Sequence, residues 1–175
     1  FLRTDLVDIC SVFSKNNKVS SLFIPTNGSR PDAIVEGVKN ILEACPDTRL
    51  TIMFSLEGLP QEHDEIHDKA GAFASVARSI ERLNFLRIKL VKKNQRFGIL
   101  LNTVVSNKNT SNVLPLMEYV RSNIRVDSHN LSPLRGDPKD GSLSEPSGEQ
   151  FSQLVARAKT HFAFYAESAR VSAEV

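Results

Sequence analysis

Apolar residues along this chain recur at helical spacing, then at strand spacing, then at helical spacing again, and this alternation limits its fold more than any other feature. In residues 5–16, Leu6, Ile9, Cys10 and Phe13 follow i, i+3, i+4, i+7, one face of a helix. Thr4 is the expected N-cap. Residues 19–25 form a short apolar run closed by Thr26-Asn27-Gly28, a strand and then a turn. Pro31 opens a helix whose one face carries Ile34, Val35, Val38, Ile41, Leu42 and Cys45, and Pro46 stops it. Residues 50–56 make a second strand, closed by Glu57-Gly58 and followed by a polar loop. Phe73, Val76, Ala77, Ile80 and Leu83 mark a third helix. Residues 97–105 are a nearly continuous apolar strand, a pattern of parallel strands covered on both faces. Val113, Leu116, Met117 and Val120 give a fourth helix. Residues 125–131 give a fourth strand, interrupted by Asp127, Ser128 and His129. Residues 136–148 read as a loop or linker. Phe151, Leu154, Val155, Ala158 and Phe162 define a last helix, and residues 168–175 carry little pattern.

Helices alternating with strands imply a parallel sheet with right-handed crossovers. Four strands are too few for a closed eight-stranded barrel, so an open sheet or part of a curved barrel is expected. The chain of 175 residues fits a soluble globular domain with one core. Its 22 Lys+Arg against 20 Asp+Glu leave a net charge of +2, which offers no basic stripe for nucleic acid. No apolar run approaches the roughly 20 residues that span a bilayer, and no signal peptide is evident. Cys10 and Cys45 have no metal-ligand spacing and read as reduced core thiols of a cytoplasmic protein. A chain that starts with Phe1-Leu2-Arg3, already in a helical pattern, is expected to be a fragment or a processed piece.

Polar residues gather where the expected strands end, the place where parallel α/β folds bind ligands. They are Thr26 and Asn27, then Ser55 and Glu57, then Asn102, Thr103 and Asn107, and finally Ser132 and Arg135. Hydroxyls, amides and one carboxylate suit a ligand with ribose hydroxyls and a charged amino-acid end. The same residue types also serve turns and caps. His63-Asp64 resembles a metal-dependent hydrolase pair in isolation, but with 4 histidines in the chain a loop and helix-start role is the simpler reading. His129 is either a substrate-facing acid or base or a structural group. Arg78, Arg82, Arg87, Lys89, Lys92 and Lys93 read as the solvated face and end of a helix.

Several short motifs, in order, resemble the radical S-adenosylmethionine family. Phe1-Leu2-Arg3 with Asp5-Leu6 is similar to the tail of its Gly-Gly-Glu-Pro-Phe-Leu-Arg motif. Thr26-Asn27-Gly28 resembles its third-strand motif, and Ser55-Leu56-Glu57-Gly58 its fourth-strand Ser-Leu-Asp-Gly. His63-Asp64-Glu65-Ile66 with Gly71-Ala72-Phe73 resembles the His-Asp-x-Ile-Arg…Gly-x-Phe stretch of the branch with an extra C-terminal cluster domain. Asn102 to Val105 with Asn107 resembles the fifth strand and its loop, and Leu131-Ser132-Pro133 with Arg135-Gly136 the exit of the sixth.

The resemblance implies a parallel-stranded partial (β/α)6 TIM-type barrel of which this chain holds strands three to six plus a C-terminal helix. Residues 1–136 would be the core barrel without its first two strands, 137–148 a linker and 149–175 the terminal helix. It implies an enzyme in which three upstream cysteines hold a 4Fe–4S cluster. That cluster reductively cleaves S-adenosylmethionine to a 5′-deoxyadenosyl radical, which takes a hydrogen from a substrate. The reaction would serve peptide or protein modification or cofactor maturation, with an electron donor such as flavodoxin or ferredoxin. No catalytic or metal-ligating residue is expected in this chain. By position, Thr26, Asn27, Ser55, Glu57, His67 and Leu131 would line the cofactor, with Asn102, Asn107, His129 and Arg135 on the substrate side. His67 stands where relatives carry an arginine that pairs with the cofactor's carboxylate. The cysteine-rich segment of the extra-cluster branch does not follow Arg135. The alternative is a non-catalytic α/β module that binds a ligand or partner.

Overall fold

Four apolar segments become strands: β1 (Ser21–Thr26), β2 (Arg49–Ser55), β3 (Phe97–Val105) and β4 (Ser128–Pro133). Among the described residues, six α-helices precede, connect and follow them: α1 (Leu6–Asn16), α2 (Pro31–Ala44), α3 (Pro60–Ile66), α4 (Ala72–Leu90), α5 (Val113–Asn123) and α6 (Gly148–His161). A computed structural model describes residues 1, 3–90, 97–138 and 140–161. Leu2, Lys92, Lys93, Phe162 and residues 168–175, on which parts of the sequence reading rest, lie outside the described residues. All three strand pairs are parallel, and the order across the sheet is the order along the chain. The expected all-parallel α/β sheet is thus present.

The register sorts the side chains into two faces. Thr26, Phe54, Leu101 and His129 share one row across the four strands; Ser55, Asn102 and Asn130 share the next row across three. Successive residues of a strand point to opposite faces, so these two rows look in opposite directions. The first face carries Ile24, Leu50, Ile52, Phe54, Ile99 and Leu101, all buried. They share one core with Cys10 of α1, Val38 and Ile41 of α2, Val76 and Ile80 of α4, and Leu116 and Val120 of α5. These helices therefore all pack on one side, as consecutive right-handed crossovers without a reversal of strand order require. A smaller cluster joins Leu154 and Ala158 of α6 to Val105, Val113 and Met117, with Leu131 beside it.

The second face is largely bare. Phe23 is 64% exposed, and Met53, Ser55, Leu100, Asn102, Val104, Asn130 and Ser132 are only half-buried. This corrects the expectation that β3 is covered on both faces: its apolar run serves one covered face and one open face with an apolar tint.

Three boundaries also move. The stretch after Gly58, read as a polar loop, contains α3, a seven-residue helix opened by Pro60 at its first turn. Asp5, not Thr4, occupies the N-cap of α1, and it pairs with Arg3 instead of capping. β4 starts after Asp127, whose carboxylate accepts the Ile99 N–H at 2.7 Å and pairs with Arg87. Ser128 and His129 lie inside the strand and do not interrupt it.

Candidate functional site

The strand ends are held by side chains that satisfy backbone groups. At the end of β1, Thr26 Oγ1 accepts the Gly28 N–H and Asn27 Oδ1 the Ser29 N–H, both at 3.2 Å. Gly28 sits at φ +69°, and a Cβ there would lie 2.8 Å from Val76 of α4, so only glycine lets the turn approach that helix. Ser79 Oγ then donates to the Gly28 carbonyl at 2.9 Å. The turn borders a small cleft of about 160 Å³ lined by Phe1, Pro25, Thr26, Asn27, Ser29 and Arg30.

On the bare face, Ser55 stands beside Asn102, and Asn102 beside Asn130. Ser132 Oγ donates to Asn102 Oδ1 at 2.9 Å, which holds that carboxamide. Adjacent strands lie about 4.8 Å apart, so the three side chains form a short ladder of uncharged donors and acceptors. Ser132 is among the residues read at the strand ends, whereas Asn130 is missed by that reading. The alternation Ser128-x-Asn130-x-Ser132 was the available signal, since it writes a polar face at period two.

Next to this ladder lies a network around Glu57. Its Oε2 accepts the Val104 N–H at 2.7 Å and its own N–H donates to His63 Nδ1 at 3.1 Å. Asn109, buried, donates to the Glu57 carbonyl at 2.7 Å and the Val104 carbonyl at 2.9 Å, and its Oδ1 accepts the Ser106 N–H. Burial pushes the Glu57 carboxyl up to about 7, against the pull of the Val104 N–H. Burial, aided by His67, pushes His63 down to about 4, so near neutral pH Nδ1 is a bare acceptor for the Glu57 N–H. Asp64 accepts the Gly71 and Phe73 N–H groups at 2.6 and 2.8 Å and so holds the start of α4. The His63-Asp64 pair is thus a backbone fastener in this structure. His67 lies at the exposed end of α3, its ring 4.3 Å from that of His63, and burial lowers its pKa.

The other candidate residues lie away from the ladder. His129 is buried on the covered face, with Nε2 2.8 Å from Thr103 Oγ1, which in turn donates to the Leu56 carbonyl at 2.6 Å. Burial pushes the imidazole down to about 4, so it is neutral there. Leu131 shares that covered face and packs beside the Val105–Met117 cluster. Asn107 ties down the segment before α6: its side chain donates to the Ser142 carbonyl and accepts the Ser144 N–H, both at 3.0 Å. Arg135 is exposed two residues beyond β4. Ser55, Asn102 and Glu57 are therefore brought together around β2 and β3, whereas Thr26 lies in the row of the covered face and its turn borders a cleft that includes none of the three.

Uncharged ladder, neutral-range carboxyl and polar turn can hold a ligand rich in hydroxyl and amide groups, and Glu57 can hold or release a proton near pH 7. A 4Fe–4S cluster finds no ligands here: Cys10 and Cys45 are buried free thiols in the core, and among the described residues no three His, Cys, Asp or Glu side chains could share a metal. No helix among the described residues is long and apolar enough to cross a membrane.

Fold and site together define a one-sided parallel α/β sheet with a polar ladder on its open face. Compared with protein-family models and with curated proteins, the chain matches none.

Proposed function

We propose that this chain forms part of the barrel of a radical S-adenosylmethionine enzyme and binds the organic cofactor on its open sheet face. One observation carries the reading. Four consecutive parallel strands carry α1, α2, α4 and α5 on one side, as barrel strands do, and Ser55 and Asn102 stand next to each other on the open side. The motif order from Phe1 to Gly136 supports it as a resemblance. In this reading the thiolates of the 4Fe–4S cluster come from residues outside this chain. When bound, cluster and S-adenosylmethionine supply a radical that removes a hydrogen atom from a substrate, fed by a donor such as flavodoxin or ferredoxin.

This chain's own groups bind and orient. Ser55 Oγ and the Asn102 amide hold hydroxyl or carboxylate oxygens. Glu57, fixed by Val104, faces ribose or substrate as a neutral-range carboxyl. The substrate side is the β3–β4 half of the face, where Asn102 meets Asn130, and a peptide or small amide-bearing molecule suits that uncharged surface. Arg135 and Asn107 stand on loops at its margin.

The test is S-adenosylmethionine binding to the full-length protein by calorimetry under anaerobic conditions. Ser55→Ala should weaken it about 2- to 10-fold, the loss of one hydrogen bond worth roughly 0.5–1.5 kcal/mol. Absence of binding in the parent protein overturns the cofactor reading and leaves a non-catalytic module; unchanged affinity in the variant removes Ser55 from the site.

A further inference from the structure

The outer surface of α4 carries a pattern that neither the core nor the open sheet face explains. Ala74, Arg78, Glu81, Phe85 and Ile88 follow each other at spacings of four, three, four and three, the repeat of a helix–helix seam. All five are exposed, and Phe85 and Ile88 are 63% and 64% exposed, among the most exposed large apolar side chains of the described residues. They border a groove of about 760 Å³ between α4 and α5, floored by Ala77, Tyr119 and Ile124. Two exposed large apolar residues at one end of a groove are costly to leave in water.

The middle of the stripe identifies the occupant. Arg78 and Glu81 take part in none of the ion pairs or hydrogen bonds within the described residues, whereas Arg82 and Arg87 on the same helix each have an aspartate. The two halves of the stripe are complementary: a cation and small residues at one end, an anion and large apolar residues at the other. An antiparallel α4–α4 crossing centred between Ser79 and Ile80 sets Arg78 against the partner's Glu81, and Glu81 against the partner's Arg78. The same crossing seats Phe85 against the partner's Ala74 and Ile88 against the partner's Gly71. A Cβ built at Gly71 meets nothing within 4 Å, so there is open space in front of it. A surface complementary to its own inverted copy is what a two-fold interface needs.

We propose that this face of α4 is the interface of a symmetric homodimer, in which two Arg78–Glu81 pairs set the register and Phe85 and Ile88 fill the space above Ala74 and Gly71 of the other copy. A charged pair at the centre fixes which copies associate, and the aromatic residue supplies the buried anchor.

The experiment is mass measurement by light scattering on the full-length protein across a dilution series, with circular dichroism to confirm folding. The parent is expected at twice the protomer mass. Phe85→Glu, and each of Arg78→Glu and Glu81→Arg alone, should run at half that mass. The double variant R78E/E81R should return to the dimer, and an equimolar mixture of the two single variants should form a mixed dimer. A monomeric parent overturns the proposal, including the case in which the groove takes a different protein. So does a dimer that survives Phe85→Glu, or a charge swap that fails to restore association when both single variants dissociate.

Discussion

Single residues set the pH response of this molecule, and Glu57 pushes it in the opposite direction to His63 and His129. An acid whose folded-state pKa lies above its unfolded value keeps a proton that the unfolded chain has already lost. The contribution of Glu57 to stability is therefore full below pH 4.5 and declines as pH rises to about 7. His63 and His129, pushed down to about 4 from 6.5, act the other way: stability falls as pH drops through that window, because unfolding lets them charge. Glu57→Gln keeps an acceptor for the Val104 N–H and removes only the first trend. Relative to the parent it should gain about 2 kcal/mol as pH rises from 4.5 to 7, after allowance for solvent screening at a half-buried group. Chemical denaturation of both proteins across that range measures it; a difference that stays flat with pH would show that Glu57 is not held neutral. At this scale the sequence was readable where chemistry is local. Thr26-Asn27-Gly28 was read as a turn and is one. His129 was not readable, because its partner Thr103 is 26 residues away and only the register of β3 and β4 brings them together.

Among the elements, those with a long apolar stripe were legible and the short one was not. α2 and α4 announce themselves by Ile34, Val38, Ile41 and by Phe73, Val76, Ile80, Leu83. α3 has seven residues, only His63 buried, and a polar sequence, so periodicity has nothing to grip. What holds α3 to α4 is Asp64, which takes two backbone N–H groups at the start of α4. Asp64→Ala leaves those donors without that acceptor and should lower stability, as the loss of a helix cap does. Urea unfolding should show a lower midpoint with an unchanged slope; an unaltered midpoint would mean that water replaces the carboxylate without loss. β4 was placed early by three residues because Asp127 reads as an interruption. It is instead the residue that fastens the incoming strand to the Ile99 N–H.

At the scale of the molecule, one large core under the sheet and a second, smaller cluster under α6 differ in how much holds them. The smaller rests on Leu154, Ala158, Val105, Val113 and Met117. Leu154→Ala should cost about 2–4 kcal/mol, the usual range for a buried leucine, and should act locally. Amide exchange in α6 should quicken several-fold while β2 stays protected, as expected of a separate opening unit. Equal acceleration in both would show a single cooperative body. The parallel α/β sheet was legible from alternation alone. The bare face was not, because the apolar run of β3 looks the same whether one side or two are covered.

A strand repeats every two residues, and in this sheet that parity divides the labour. Even-numbered positions of β2 and odd-numbered positions of β3 and β4 hold the architecture, from Ile52 and Phe54 through Ile99 and Leu101 to His129. The interleaved positions, Met53, Ser55, Leu100, Asn102, Ser128, Asn130 and Ser132, are only half-buried and belong to neither hydrophobic cluster of the described residues. Tolerance to change is therefore striped along each strand. New recognition can be written on one set of letters while the neighbouring set goes on spelling the same scaffold.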